Sequence, residues 1–501
     1  MNLSRPLFVY VLTGLFTPFF GLTGTVIWVL VRGVSMSKLG QRAIVCGASM
    51  AGLLAAGVLS DFYEAVTLVE RDRLPDGPEQ RRGVPQGRHW HALLSTGSKT
   101  LDQLFPGLLD ELVTAGATVV DSDTRVYLRQ GRYQLDRSAK LADPASLVFY
   151  QPSRPFLESH VRRRVRAFEN VRILDGHDVV QPIADRAHRV TGARVVNRDT
   201  GEETVLDAEL VVDATGRSAR TPAFLDTLGY ERPVEQRYPA HLSYTSQFLR
   251  IPAGMIAEKI IVLGAMPERP TGVVVAAYEH DTSILTLYGV GGCELPDDLA
   301  GIIEYAAQFA PPFLIAALRA AEPLGAVSAQ RYPASTWRRY DKMRRFPAGL
   351  LVMGDAICSF NPMYMQGMTT AALQAVALRN CLADRDGDLS RRFFKTTAKQ
   401  IAPVWRANRL GDTLLSPSPG GGWHRALRRL VNWQMDKVWT AAANDPAVAE
   451  AMLRVQHLVD PPARLLQPSF LMRLVAANRR PRMATPADDG RSGSYRAFDQ
   501  T

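Results

Sequence analysis

Cysteine is scarce. The four in 501 residues, Cys46, Cys293, Cys358 and Cys381, lie far apart and none belongs to a C-x-x-C pair. That spacing argues against a disulfide framework and against a zinc site, and it suits a reducing compartment. Zinc-finger spacing and the aromatic signature of RNA-binding sheets are also missing. The basic residues behind the net charge of +10 are scattered, so a membrane surface or an anionic cofactor fits better than nucleic acid. Internal repeats and low-complexity blocks are absent, and 46% hydrophobic with 22% charged residues is ordinary for a globular chain. Only residues 481–501 read as a loose tail, and no metal site is expected.

Long uncharged runs are rare, with one exception. Residues 7–31, "LFVYVLTGLFTPFFGLTGTVIWVLV", form 25 positions without a charge, long enough to span a bilayer. The run is too long for a signal-peptide core and lacks an A-x-A-like cleavage site. Arg5 precedes it and Arg32, Lys38 and Arg42 follow, a bias that makes it a signal anchor with the body in the cytoplasm. A second reading stands beside this one: translation starts at Met36, whose "MSKLGQRAIVCGAS" is a typical opening for a nucleotide-binding fold.

From Arg42 the pattern is strand, tight turn, helix, strand, which is one βαβ unit ending near Arg71. The polar connection "RDRLPDGPEQRRGVPQGRHWHALL" is too long for an ordinary loop and reads as functional. A helix with short strands follows to Tyr150, then a helix from "SRPFLESH" and a strand at "VRIL". A hairpin turns around Asp199–Gly201, and a buried strand leads into "DATGRSAR". Residues 222–345 read as the sheet of a second domain. "GLLVMGDAICSF" is a buried strand ending at Gly354 and Asp355, and "NPMYMQGMTTAA" is a turn opening a helix that runs to Leu382. The remainder is helical.

The chemistry sits at the turns. Gly47-x-Ser49-x-x-Gly52 is a dinucleotide fingerprint with serine in the middle: the first glycine makes the turn, the small residue lets a pyrophosphate approach, and the last glycine allows close helix packing. Glu70, 23 residues after Gly47, ends the second strand where an acid can accept from ribose hydroxyls. Three strand-end turns in one chain can converge on one extended ligand. Elsewhere two readings stay open or the plainer one leads. His89 and His91 line a ligand or simply pack a loop. Arg162, Arg163, Arg164 and Arg166 read as a solvated helix face. Cys358 and Ser359 read as small buried residues without a basic partner. The stretches 423–439 and 465–480, rich in apolar, aromatic and basic residues, lie on a membrane or pack as a bundle.

Together, "GASMAG" with "VERD", "RRGVPQGRHWHALL", "DATGRSAR" and "GDAICSFNPMYMQGM" resemble the FAD-dependent monooxygenases of the aromatic-hydroxylase superfamily, and more narrowly the bacterial branch with polyether-type epoxidases and relatives of squalene epoxidase. The match spans roughly residues 36–476. It implies an α/β fold: an FAD-binding Rossmann-like domain of the glutathione-reductase type (36–97, 151–221 and 346–385), interleaved with an α+β substrate domain (98–150 and 222–345). C-terminal helices follow over 386–480. By the resemblance, Gly47, Ser49 and Gly52 form the pyrophosphate turn, Glu70 binds ribose, and Arg71 lies on the adenosine side. Arg81 or Arg82 reaches the phosphates, and Arg154 contacts the flavin side. Asp355 binds the ribityl or pyrophosphate portion, Gly367 and Met368 offer amides near flavin O2 and N1, and Asp213 with Gly216 makes a second nucleotide contact.

Such enzymes epoxidise or hydroxylate a hydrophobic terpenoid, polyene or aromatic substrate. Reduced FAD adds O2 to form a C4a-hydroperoxide, with electrons from NAD(P)H directly or through a separate reductase. No catalytic triad is required, and Tyr364 and Met365 are candidate pocket residues. Relatives carry glycine where Met365 stands, so this side chain either narrows the pocket or shifts the turn. Two rivals remain: a flavin-dependent reductase of the geranylgeranyl-reductase type, and a membrane-anchored flavoprotein without turnover. A flavin halogenase is disfavoured, because the chain has no W-x-W-x-I-P stretch.

Overall fold

The computed structural model describes residues 38–135, 141–415 and 422–480. The apolar run at 7–31, the Met36 start and the tail at 481–501 lie outside the described residues. So do the side chains of 422–432, within the first of the two candidate membrane stretches. Among the described residues, no helix is long and apolar enough to cross a membrane.

Five parallel strands organise the cofactor side. They are β1 (Gly40–Cys46), β2 (Tyr63–Val69), β3 (Val171–Leu174), β4 (Leu210–Asp213) and β5 (Leu350–Val352), in the order β5-β4-β1-β2-β3. Ala43, Ile44, Val45 and Cys46 are all buried, as a parallel strand covered on both faces requires. Helix α1 (Met50–Leu59), "MAGLLAAGVL", has almost no polar face because it lies between the sheet and helix α3 (Gly367–Ala383). Helix α2 (Arg154–Arg166) starts at Ser153, whose hydroxyl accepts from the Phe156 N–H as an N-cap.

The strand ends are stitched to one another. The Gly47 N–H donates to Val69 O at 2.7 Å, Ala214 N–H to Cys46 O at 2.9 Å, and Met353 N–H to Asp213 O at 2.9 Å. The turns after β1, β4 and β5 therefore share one sheet edge.

A larger, nine-stranded mixed sheet forms the facing wall. Its side chains alternate as the pleat demands. Ile261, Leu263, Val273, Val275, Leu285 and Leu287 pack outward against helices Leu299–Ala307 and Pro312–Arg319, while Val262, Val274, Thr286 and Tyr288 point to the cavity. Those two helices, and the 16-residue strand Glu235–Arg250, lie in a region the sequence presents simply as β-rich. Strand Val126–Gln130 joins the same sheet by parallel pairing with Ile260–Gly264.

The hairpin around Asp199–Gly201 gains a third strand, His177–Ala184, whose residues are mostly half-buried and so carry no clean alternation. Helices α4 (Leu389–Leu415), α5 (Gly422–Asn444), α6 (Pro446–Gln456) and α7 (Pro468–Arg479) complete the described chain.

Gly52 is the tightest point between α1 and the sheet. A Cβ there would lie 1.7 Å from the Gly47 carbonyl oxygen, whereas at Gly367 it would meet nothing within 4 Å. Gly52→Ala should therefore cost about 1–3 kcal/mol, the usual overpacking range, while Gly367→Ala should stay within about 0.5 kcal/mol of the parent. Denaturant midpoints check this, and equal losses at both positions would contradict it.

Candidate active site

The helices that open on the turns after β1 and β5 leave their leading amides unspent. At α1 the Ser49 side chain makes no capping bond, and the N–H groups of Met50, Ala51 and Gly52 have no acceptor among the described residues. At α3 the same holds for Gln366 and for the N–H groups of Gly367, Met368 and Thr369. Both ends face one cavity of about 2080 Å³ that runs from the Gly47 turn to the wall of the large sheet. A helix N-terminus carries a partial positive charge and pointed donors, so two of them on one cavity favour an extended anionic ligand.

Asp355 follows Gly354, which adopts φ +68° with its N–H held by Gln374 Oε1 at 2.7 Å. Its carboxylate lines the cavity and has no hydrogen-bond partner among the described residues. Burial pushes its pKa up, against the opposing pull of Arg154 and Arg217. A half-buried carboxylate without a protein donor is poorly solvated unless a ligand supplies one, and hydroxyl groups of a ribityl chain are suitable donors. The donors, the glycine turns and this acceptor fit FAD.

A buried network backs the first turn. Arg81 lies within reach of Glu70 (3.2 Å), Asp72 (3.3 Å) and Glu158 (2.7 Å), and donates to Ala48 O at 3.1 Å. Glu70 Oε2 accepts from the Ala48 N–H at 2.8 Å, which brings this acid onto the dinucleotide turn. Arg154 donates to Ser49 Oγ at 2.6 Å and to Glu158 at 3.3 Å. Arg81 is thus occupied by carboxylates. Arg71, at the cavity rim, pairs with Asp178 at 3.8 Å, and Arg82 is exposed.

Asp213 spends its carboxylate on the turn itself, accepting from Thr215 N–H at 2.9 Å, Thr215 Oγ1 at 2.6 Å and Thr221 Oγ1. Gly216 has φ +77° and open space where a Cβ would point.

The turn 361–366 is clamped from α4. Asn361 Nδ2 and Tyr364 OH both donate to Asp412 Oδ1, at 2.8 and 2.9 Å. Burial raises the Asp412 carboxyl to about 6, with the two donated bonds acting the other way. Met365 sits in the left-handed region, φ +58° and ψ 19°, the conformation a glycine would take without strain. Its side chain packs beside Ala92, Phe149 and Ile260 and lines the cavity. Methionine here adopts a left-handed conformation that suits glycine.

His89 and His91 both line the cavity. His89 Nδ1 bonds Ser246 Oγ at 2.9 Å and His91 Nδ1 bonds His89 O at 2.9 Å. Burial lowers them to about 3 and about 4, so both rings are neutral at ordinary pH. Cys358 is buried, and desolvation raises its thiol well above the usual range. Arg162 corrects the solvated-face reading: it is buried and donates to Pro75 O at 2.7 Å and Gly77 O at 2.9 Å, pinning the long loop, while Arg163 and Arg164 pair with Glu111.

Sequence reasoning did not single out Arg217, Glu158, Gln374 or Asp412. Glu158 had a usable signal, since it stands one helical turn after Arg154. Asp412 had none, because its role depends on α4 folding back over the turn.

No family model matches the chain. Protein Rv3254 of Mycobacterium tuberculosis is 39% identical over 452 residues, covering 88% of this chain and 94% of the relative. Among solved structures, the flavin-dependent brominase Bmp2 superposes with a TM-score of 0.61 at 14% identity, over 87% of this chain and 98% of its own. PqsL of Pseudomonas aeruginosa, a probable FAD-dependent monooxygenase, gives 0.57 at 18% identity over 78% and 99%. The p-nitrophenol 4-monooxygenase PnpA of Pseudomonas putida gives 0.58 at 15% identity over 84% and 99%. At those identities the solved structures establish a shared fold, the α/β fold of flavin-dependent monooxygenases, and by its similarity to Rv3254 the chain belongs to the same family as that protein.

Proposed function

We propose that the chain is an FAD-dependent monooxygenase that places one atom of O2 on a hydrophobic substrate, with electrons from NAD(P)H directly or through a partner reductase. The observation that carries this reading is the pair of unspent helix N-termini, with the partnerless Asp355 carboxylate, on one cavity. PqsL, a probable FAD-dependent monooxygenase, and the p-nitrophenol 4-monooxygenase PnpA share the fold, which supports it.

In this reading the segments 36–97, 151–221 and 346–385 hold the cofactor, while 98–150 and 222–345 form the substrate wall. The α1 amides and the Gly47 turn take the pyrophosphate, Glu70 the adenosine ribose and Asp355 the ribityl hydroxyls. Bound FAD supplies oxygen activation and electron transfer. The α3 amides of Gly367 and Met368, which line the cavity, would hold the flavin ring end and favour negative charge there. The wall side chains Val262, Val274 and Met365 exclude water, which protects reactive species from hydrolysis. His89 and His91, held neutral, serve as hydrogen-bonding groups and carry no charge into that wall. Epoxidation, hydroxylation and the terpenoid, polyene or aromatic nature of the substrate are finer expectations resting on the family resemblance.

The decisive trial supplies FAD-loaded protein with NAD(P)H, labelled O2 and a panel of polyenes, terpenoids and phenols. One labelled oxygen atom in a product supports the reading. A saturated, unlabelled product would mark a double-bond reductase, and failure to retain FAD would end the proposal. Asp355→Ala should weaken FAD binding by about tenfold or more, the worth of a charge-assisted hydrogen bond.

Acid stability gives a second check. The unfolded chain protonates His91 near pH 6.5, whereas the folded ring resists until about 4. Stability is therefore full above 6.5 and falls as pH drops through that window, because the unfolded state binds the extra proton. His91→Gln should flatten the fall in denaturant midpoint between pH 6.5 and 4, and an unchanged slope would remove His91 from the cause.

Met365→Gly should relieve left-handed strain of about 1 kcal/mol, retain FAD and open the pocket to bulkier substrates. Unchanged turnover and selectivity across the panel would show that Met365 does not shape the pocket.

A further inference from the structure

Helix α7 and the short turn before it, Pro462–Leu466, carry apolar side chains into solvent. Leu466, Met472, Val475 and Leu471 are 74%, 68%, 50% and 45% exposed. Poor packing is not the reason, because the other face of the same helix is well buried: Phe470 and Ala477 join Ala441, Ala442, Val448 and Ala449 in one cluster. Leu471 and Val475 lie one helical turn apart with Met472 beside them, so the exposed residues form a single stripe.

Along residues 461–480 the charge is of one sign. Arg464, Arg473, Arg479 and Arg480 fall between residues 461 and 480, and that interval contains no Asp or Glu. Arg473 pairs with Asp445 at 2.8 Å and Arg464 lies 3.9 Å from Asp460, while Arg479 and Arg480 make no ion pair among the described residues. The stripe also adjoins the site. Pro461, Pro462 and Leu465 line the large cavity, and Leu466 next to them faces outward.

An apolar stripe flanked by arginines is the pattern of a helix lying in a lipid interface, where the side chains enter the acyl boundary and the cations meet anionic headgroups. A second copy of the chain fits this face poorly, because an isologous contact would bring the same arginines together. We propose that this face docks on an anionic lipid bilayer, with α7 in the interface and the Pro461–Leu465 side of the cavity beside it. Delivery of a lipophilic substrate from the bilayer rests on the functional reading above; the docking itself does not.

The test uses the full chain loaded with FAD and sedimented with vesicles of phosphatidylcholine, alone or mixed with phosphatidylglycerol, at low and high salt. Arg5, Arg32 and Lys38 flank residues 7–31 and add their own attraction to anionic lipid, so the readout is the part of the anionic, salt-sensitive binding that substitutions on α7 remove. The parent should bind anionic vesicles about thirtyfold more tightly than neutral ones, from roughly 1 kcal/mol for each of Arg479 and Arg480.

The variant Leu471→Ser, Met472→Ser, Val475→Ser should lose about tenfold with FAD content unchanged, and Arg479→Gln, Arg480→Gln should lose about thirtyfold of the lipid-charge preference. Equal binding to both vesicle types, or an apolar variant that binds like the parent, would overturn the proposal. So would a variant that changes only the oligomeric state. Vesicle binding without any labelled product would instead sink the functional reading and leave the docking intact.

Discussion

Unspent backbone donors at the starts of α1 and α3 are the constraint on which the rest of the molecule turns. Neither Ser49 nor Gln366 caps its helix, and both ends open on the same cavity. Each such end favours a neighbouring anion by about 0.3–1 kcal/mol when exposed, and by up to about 2 kcal/mol when partly buried. Holding two of them open against one space requires the stitched strand ends of β1, β4 and β5, the close approach of Gly52 to Gly47, and the contact of α1 with α3. The parallel sheet therefore positions donors, and the mixed sheet supplies an apolar wall opposite them.

Charge is managed by burial in pairs. Arg81 is surrounded by Glu70, Asp72 and Glu158, and Glu158 also meets Arg154, which reaches Ser49 in the dinucleotide turn. Removing one partner of such a network leaves another charge buried and uncompensated, so the network fixes the geometry of the turn more than it adds net stability. Asp355, by contrast, has no hydrogen-bond donor among the described residues. A ligand hydroxyl would satisfy it.

Much of this was legible in the sequence because it is local. The glycine fingerprint, the strand before it and Glu70 fall within one βαβ unit, and periodicity alone places them. The two later turns each follow a run of buried β-branched and aliphatic residues, so "LVVDATG" and "LLVMGDA" announce strand ends. What the sequence concealed is tertiary. Asp412 matters only because α4 returns across the turn, and Arg162 is buried only because the long loop wraps over it. The helices at 299–319 were hidden among strands, since an apolar helix covering a sheet face reads much like a buried strand. Met365 lies between these cases: the sequence presents a methionine where a glycine is expected, and the structure shows it at a left-handed φ of +58° with its side chain in the cavity.

The central claim is that one dinucleotide spans both helix ends, its adenylate on α1 and its flavin ring on α3. Titration of the cofactor-free protein with FAD and then with FMN, which lacks the adenylate half, tests this directly. FAD should bind about a hundredfold or more tightly than FMN, since FMN leaves the α1 amides and the Gly47 turn one phosphate in place of two and leaves Glu70 no ribose. Equal affinity for the two would contradict a ligand that reaches from α3 to α1.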